Sequence, residues 1–256
     1  VTDLNVVNLN PALSLLVHGD SKVGKSWLLD TMPGPRAVFD AEGGSRFTPS
    51  RKRVWDPRAE PPPAADGTWD TCLVYVREYD VLRLGLQWLQ SGSHPFRSVG
   101  MDSVSEVQQR CVDSLVGRNA MQTQDWGTLL REVSATVREF RDLTINAVNP
   151  LQAVVMIAMT KMKDGKWRPF VQGALADWLP YYVDVCGYLF TQDDPANPGT
   201  ILRRMLVTTG QTNFLAGERV GGRLGQVVEN PNVSTMLTTI FGPAAGTVPA
   251  AATQEG

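Results

Sequence analysis

The octapeptide Gly19-Asp20-Ser21-Lys22-Val23-Gly24-Lys25-Ser26 constrains this chain more than any other feature, because it fits G-x-x-x-x-G-K-[ST] in a context where that pattern has a mechanism. The apolar run Leu13-Ser14-Leu15-Leu16-Val17 leads into it through His18. Lys25 to Thr31 then resumes with helical character until Pro33-Gly34-Pro35 stops it. Strand, glycine loop and helix in that order let backbone N–H groups curl around phosphates at a helix start. The expectation is a nucleoside triphosphate site, ATP with Mg2+, built from Gly19, Asp20, Ser21, Lys22, Val23, Gly24, Lys25, Ser26 and Trp27. Lys25 is expected to neutralise β/γ-phosphate charge and to serve catalysis. The Ser26 hydroxyl is expected to ligate Mg2+.

The remaining chain alternates short apolar runs with amphipathic ones. Ala37-Val38-Phe39 reads as a second strand ending at Asp40-Ala41-Glu42-Gly43-Gly44. Residues 45 to 70, rich in proline and arginine and without a period, read as a long exposed loop or insertion. Cys72 to Val76 is a third strand, and Leu82, Leu86 and Leu89 give Tyr79 to Leu89 a helical stripe. Phe96 to Met101 leads to Asp102. Ser103-Val104-Ser105-Glu106 has capping-box spacing, with Ser103 as N-cap and Glu106 reaching back, and predicts a helix over 104–116. Trp126 to Leu143 reads as an amphipathic helix and Ala153 to Thr160 as a strand of the fully buried type. A basic turn at 161–170, a helix near 174–183 and strands near 184–191 and 201–209 follow. This alternation predicts an α/β fold with a doubly wound, mostly parallel sheet and antiparallel C-terminal strands. Residues 1–242 are expected to form one domain, which 256 residues with 43% hydrophobic side chains can support, and 243–256 a disordered tail. Trp69, Trp88, Trp126 and Trp178 read as packing aromatics.

Two carboxylates stand at strand ends. In an α/β sheet, residues beyond the carboxyl ends of neighbouring strands converge on one crevice, so Gly19, Glu42 and Asp102 can meet. Asp102 is where a P-loop protein needs a second magnesium-holding carboxylate, or else it belongs only to the helix cap with Ser103. Glu42 is placed to orient and deprotonate an attacking water, or is a solvated loop glutamate.

Bulk properties exclude several classes. A net charge of −2 rules out a histone-like DNA coater, so nucleic-acid contact has to come from local patches. Cys72, Cys111 and Cys186 are far apart and only two histidines exist, which supports neither a disulfide framework nor a zinc site. No run approaches the length of a membrane span and no charged-then-apolar leader opens the chain, so a cytoplasmic protein without a membrane partner is expected.

The order of strand-P-loop-helix, Phe39-Asp40-Ala41-Glu42, Val99-Gly100-Met101-Asp102-Ser103-Val104 and Met156-Ile157-Ala158-Met159-Thr160-Lys161-Met162-Lys163 resembles the RecA/RadA recombinase core over about residues 10 to 225. It is similar above all to the small RecA-like ATPases of bacteriophages, the fourth group of Sak single-strand annealing proteins. The resemblance implies a Mg-dependent, DNA-stimulated ATPase acting in recombination, with single-stranded DNA as partner and a homo-oligomer, ring or filament, as its working form. A single-strand binding protein is a further partner of that reading. It implies Glu42 as catalytic base and Asp102 as the metal carboxylate. Thr160 or Met159 takes the γ-phosphate sensor slot. A late Lys-x-Arg-like element that reaches the neighbouring subunit's nucleotide falls on Ala216-Gly217-Glu218-Arg219. The lysine is missing there, so Arg219 alone is carried over.

Two patches bear on DNA. Lys161, Lys163, Lys166, Trp167, Arg168 and Phe170 mix cations and aromatics suited to phosphate attraction and base stacking, or form an ordinary hairpin turning at Asp164-Gly165. Arg46, Arg51, Lys52, Arg53, Trp55 and Arg58 form a second patch, or a solvated insertion. Rival functions are a replication accessory ATPase of the helicase-loader type and a nucleotide-dependent regulator.

Overall fold

The structure, a computed structural model, describes residues 11–208 and 213–243. Apart from Pro243, the predicted C-terminal tail lies outside the described residues. Among these, ten strands form one sheet in the order β12 (Val227–Glu229), β10 (Ile201–Leu206), β9 (Val185–Asp193), β1 (Leu13–Gly19), β6 (Ala153–Ala158), β5 (Ser98–Asp102), β2 (Arg36–Asp40), β4 (Thr71–Tyr75) and β3 (Lys52–Val54). The tenth, β11 (Gly217–Glu218), pairs with β9. All pairs from β9 through β3 are parallel, and those made by β10, β11 and β12 are antiparallel. The α/β, RecA-like P-loop architecture is therefore present as expected, with its antiparallel strands at the C-terminal side.

Burial on both faces explains why the central strands read as unbroken apolar runs. Every residue of β1 and β6 is buried. Side-chain alternation along β1 sends Leu13, Leu15 and Val17 to one face, where α1 (Lys25–Leu29) and α6 (Val233–Phe241) supply Leu28, Leu29, Met236 and Ile240. Leu16 faces the other side, covered by α2 (Tyr79–Gln90), α3 (Val104–Val116), α4 (Thr123–Asp142) and α5 (Leu175–Tyr182) through residues such as Leu86, Val107, Val133 and Leu179. Among the described residues no helix is long and apolar enough to cross a membrane.

Three expectations need correction. Residues 45–70 are not a free loop: β3 extends the sheet, and Trp55 and Trp69 are buried with their rings against Phe96 and their indole N–H groups donating to the Glu60 and Ala64 carbonyls. A three-residue edge strand carrying Lys52 and Arg53 has too short and too charged a pattern to register as periodic. Trp126 and Trp178 are 44% and 45% exposed, whereas Trp69 and Trp88 do pack against the core. The strand expected to run to Thr160 ends at Ala158, and Thr160–Lys163 (β7) with Lys166–Pro169 (β8) form a separate hairpin.

Candidate functional site

Register brings the site together. Asp40 at the end of β2 lies beside Asp102 at the end of β5, and Gly19 at the end of β1 lies beside Leu189. Beyond these ends opens a crevice of about 540 Å³ lined by the P-loop, Glu42, Gly44, Asp102, Met159 and Thr160. Of the nine P-loop positions read from the sequence, eight line it, and Val23 is buried beneath. A Cβ on Gly19 would collide with the Leu189 carbonyl, and Gly24 holds φ of 99°, so these two glycines are required for the loop to close against β9 and turn into α1.

Lys25 bends back, its ammonium donating to the Gly19 carbonyl at 2.9 Å and the Asp20 carbonyl at 2.6 Å. Burial holds its pKa below the usual lysine range, against the opposing pull of Glu42, Asp102 and Asp20. Ser26 donates to Asp102 Oδ2 at 2.6 Å. Asp102 is 1% exposed, and burial, then the nearby Glu42 and Asp40 carboxylates, push its pKa up to about 7. Glu42 accepts from the Ser103 hydroxyl. The same hydroxyl accepts from Glu106 N at 3.3 Å and so caps α3. Glu106 does not reach back as a full capping box requires; its carboxylate pairs with Arg110 at 2.8 Å.

The sequence marks Asp40 only as part of a strand end, yet its buried carboxylate shapes the loop that carries Glu42. It accepts from the backbone N–H groups of Glu42 (3.2 Å), Gly43 (2.6 Å) and Ser45 (3.0 Å). Burial raises its pKa against those three bonds. The Asp102 carbonyl also accepts from Ala41 N and Glu42 N, so both carboxylate-bearing strand ends are tied together.

The donor set fits a hard divalent cation with a polyphosphate. Ser26 Oγ and Asp102 Oδ2 are both oxygens and face one another, and Gly44 leaves the space beside them open: a Cβ there would sit 2.9 Å from Ser26 Oγ. Among the described residues no three His, Cys, Asp or Glu side chains gather as a metal cage. A P-loop magnesium site does not need one, because phosphate and water complete its shell.

Sequence reasoning missed the crevice's rim. Arg203 of β10 lies with its guanidinium 5.5 Å from the Trp27 ring centroid, and Phe47, 70% exposed, carries Arg46 over its ring at 4.6 Å. These residues come from distant segments with no shared motif, so no local pattern announced them. Thr160 and Met159, the two residues expected at the sensor slot, both line the crevice. Arg219 does not join its own crevice: it sits at the amino end of β9, donating to the Tyr181 and Val183 carbonyls at 2.7 Å, with Asp184 3.8 Å away.

The β7–β8 hairpin pairs Lys161 with Arg168 and Lys163 with Lys166. Alternation therefore puts all four cations on one face and Thr160, Met162, Trp167 and Pro169 on the other. Arg168 is paired with Asp177 at 2.9 Å, Lys161 lies 4.7 Å over the Phe170 ring, and Lys163 and Lys166 are exposed. Trp167 packs with Tyr188, Phe190 and Phe214, which removes it as a free stacking surface, while Phe170 is 41% exposed. In the second patch Arg51 pairs with Asp70, Arg58 with Asp56 and Glu78, and Lys52 with backbone carbonyls.

Residues 12–220 match the family model described as AAA domain. No curated protein matches the chain. Among solved structures, the chain is similar to one described as a prototypical ATPase from the type III secretion system of pathogenic bacteria, at 12% identity and a TM-score of 0.43, covering 70% of this chain. The chain spans about half, 52%, of that protein's length.

Proposed function

The chain belongs to this AAA-domain family of P-loop ATPases, and on that premise we propose that it hydrolyses ATP with magnesium in a cycle tied to single-stranded DNA held on the β7–β8 hairpin. The observation that carries the DNA half is the hairpin's charge arrangement. Like charges directly opposite across a strand pair repel, and here Lys163 faces Lys166 with no ion-pair partner among the described residues, while Asp177 offsets Arg168 opposite Lys161. A polyanion relieves that repulsion, and Phe170 beside Lys161 offers an aromatic face for a base.

In the hydrolytic half, Lys25 exchanges its two carbonyl partners for phosphate oxygens. Ser26 and the Asp102 carboxylate would hold magnesium, which would supply charge neutralisation at the phosphates. Glu42 accepts the proton of the attacking water, held in place by the Ser103 hydroxyl on one side and by the loop that Asp40 anchors on the other. Arg219, turned away from its own crevice, serves a neighbouring subunit in a ring or filament. The finer reading is that of a phage-type recombination protein that promotes annealing or strand pairing, in the manner of the fourth Sak group, in the cytoplasm of the host.

The test is ATP turnover with and without a single-stranded oligonucleotide, followed by annealing of complementary strands. Stimulation together with annealing is expected. Turnover indifferent to DNA would overturn the DNA half and leave a nucleotide-dependent regulator.

A further inference from the structure

His18 is fully buried at the end of β1, one residue before Gly19, and the chemistry above makes no use of it. Its Nε2 lies 2.7 Å from the Leu215 carbonyl and its Nδ1 3.0 Å from Thr160 Oγ1. A carbonyl only accepts, so Nε2 carries the hydrogen. Burial pushes the ring's pKa down to about 4, which leaves a neutral imidazole whose Nδ1 is a bare acceptor. The Thr160 hydroxyl is therefore the donor to Nδ1.

That hydroxyl also lies 3.1 Å from the Arg168 carbonyl on the opposite strand of the hairpin. One proton thus faces two acceptors, and Thr160 lines the crevice, where a phosphate oxygen becomes a third. The other side of the ring is equally connected. Leu215 N donates to the Trp167 carbonyl at 2.9 Å and Trp167 N to the Asn213 carbonyl at 2.8 Å, so the segment His18 holds through Leu215 runs along β8. Tyr188 packs against the imidazole with ring centroids 5.3 Å apart.

We propose that His18 is a positioning residue for ATP hydrolysis: it fixes the direction of the Thr160 hydroxyl and so links the contents of the crevice to the backbone of the β7–β8 hairpin. The inference rests on the ATPase reading above. When a phosphate oxygen takes the place of the Arg168 carbonyl as the second acceptor, the Thr160 hydroxyl stays aimed by Nδ1 and the tie across the hairpin is released. No bond to hydrogen breaks; one hydrogen bond changes acceptor.

Two isosteric changes separate the ring's two bonds. His18→Asn keeps an acceptor near the Nδ1 position and loses the Leu215 bond, whereas His18→Gln keeps a donor toward Leu215 and loses the Thr160 acceptor. With ATP, Mg2+ and a poly-dT oligonucleotide, His18→Gln is expected to lower kcat about tenfold, the rate equivalent of one lost hydrogen bond, with KM little changed. His18→Asn is expected to stay within about threefold, and Thr160→Val to match His18→Gln. With only two histidines in the chain, 15N-histidine NMR of the nucleotide-free protein reads the same contact directly. His18 should show the Nε2–H tautomer, and its Nδ1 resonance should move in Thr160→Val and again when a non-hydrolysable ATP analogue is added to wild type.

Wild-type kcat in His18→Gln, or an Nδ1 resonance indifferent to Thr160→Val, would overturn the inference while the ATPase reading stands. A wild-type protein without turnover would overturn both. Should His18→Gln fail to fold, the NMR comparison decides alone.

Discussion

Arg203 occupies the space that a side chain at position 24 would need, its guanidinium resting over Trp27. Among the described residues it makes no ion pair, so a cation without a carboxylate stands over the phosphate loop. Arg203→Ala is expected to weaken ATP binding about tenfold, as for loss of one charge-assisted hydrogen bond. Anisotropy of a fluorescent ATP analogue measures this, and unchanged affinity would remove Arg203 from the site.

Lys25→Ala is expected to abolish hydrolysis and strongly weaken nucleotide binding, because the loop loses its central cation. Glu42→Gln should bind ATP and magnesium as wild type does yet turn over at least about 100-fold more slowly, the loss expected for a general base. Single-turnover kinetics separates binding from chemistry in both, and a near-wild-type rate in Glu42→Gln would assign the base elsewhere.

Asp102 makes the stability of the nucleotide-free protein pH-dependent. Its pKa is about 7 when folded against an ordinary 3.8, so between those values the folded state holds a proton that the unfolded chain has released. The stability it contributes is fully present below about pH 4 and lost as pH rises through 7, with a slope of at most about 1.4 kcal/mol per pH unit. Asp102→Asn should remove this fall. His18 slopes the other way but is common to both proteins, so it cancels in the difference. Urea unfolding of both from pH 4 to 8 is the measurement, and parallel profiles would count against a neutral Asp102.

Lys163 and Lys166 are the hairpin's open cations, and neutralising both is expected to lower the log–log salt slope of single-strand binding by about 1.4, two contacts at 0.7 each. Phe170→Ala should cost about 1–3 kcal/mol of binding with little change of slope. Titrations of a labelled oligonucleotide at several salt concentrations report both, and no change in either would move attention to Arg46 and Phe47.

What could be read from the sequence was local or followed from strand ends. The P-loop is contiguous, α3 lies at 104–116 because Ser103 caps it, and Glu42 and Asp102 meet because neighbouring strands end there. Arg203 and Gly44 reach the crevice across about 180 and 20 residues from the P-loop, through pairings that no short pattern encodes. The helix α6 escaped notice because its Val, Thr and Ile residues favour strands, and it forms only because Met236, Leu237 and Ile240 have the α1 face to bury. Trp167 carried a misleading signal: its neighbours are cations, but its ring faces the opposite side of a two-stranded ribbon.

The outermost strand β3 has one further effect. Its free side presents Lys52 and Arg53, followed by the half-exposed Val54 and anchored by Arg51 on Asp70. A very short edge strand that carries an exposed charge, here Arg53, is a poor template for an identical edge from another molecule, which is how proteins with open sheets avoid aggregating edge to edge. With three residues and one exposed guanidinium, β3 ends the sheet rather than offering a long flat edge onto which a further strand could be added.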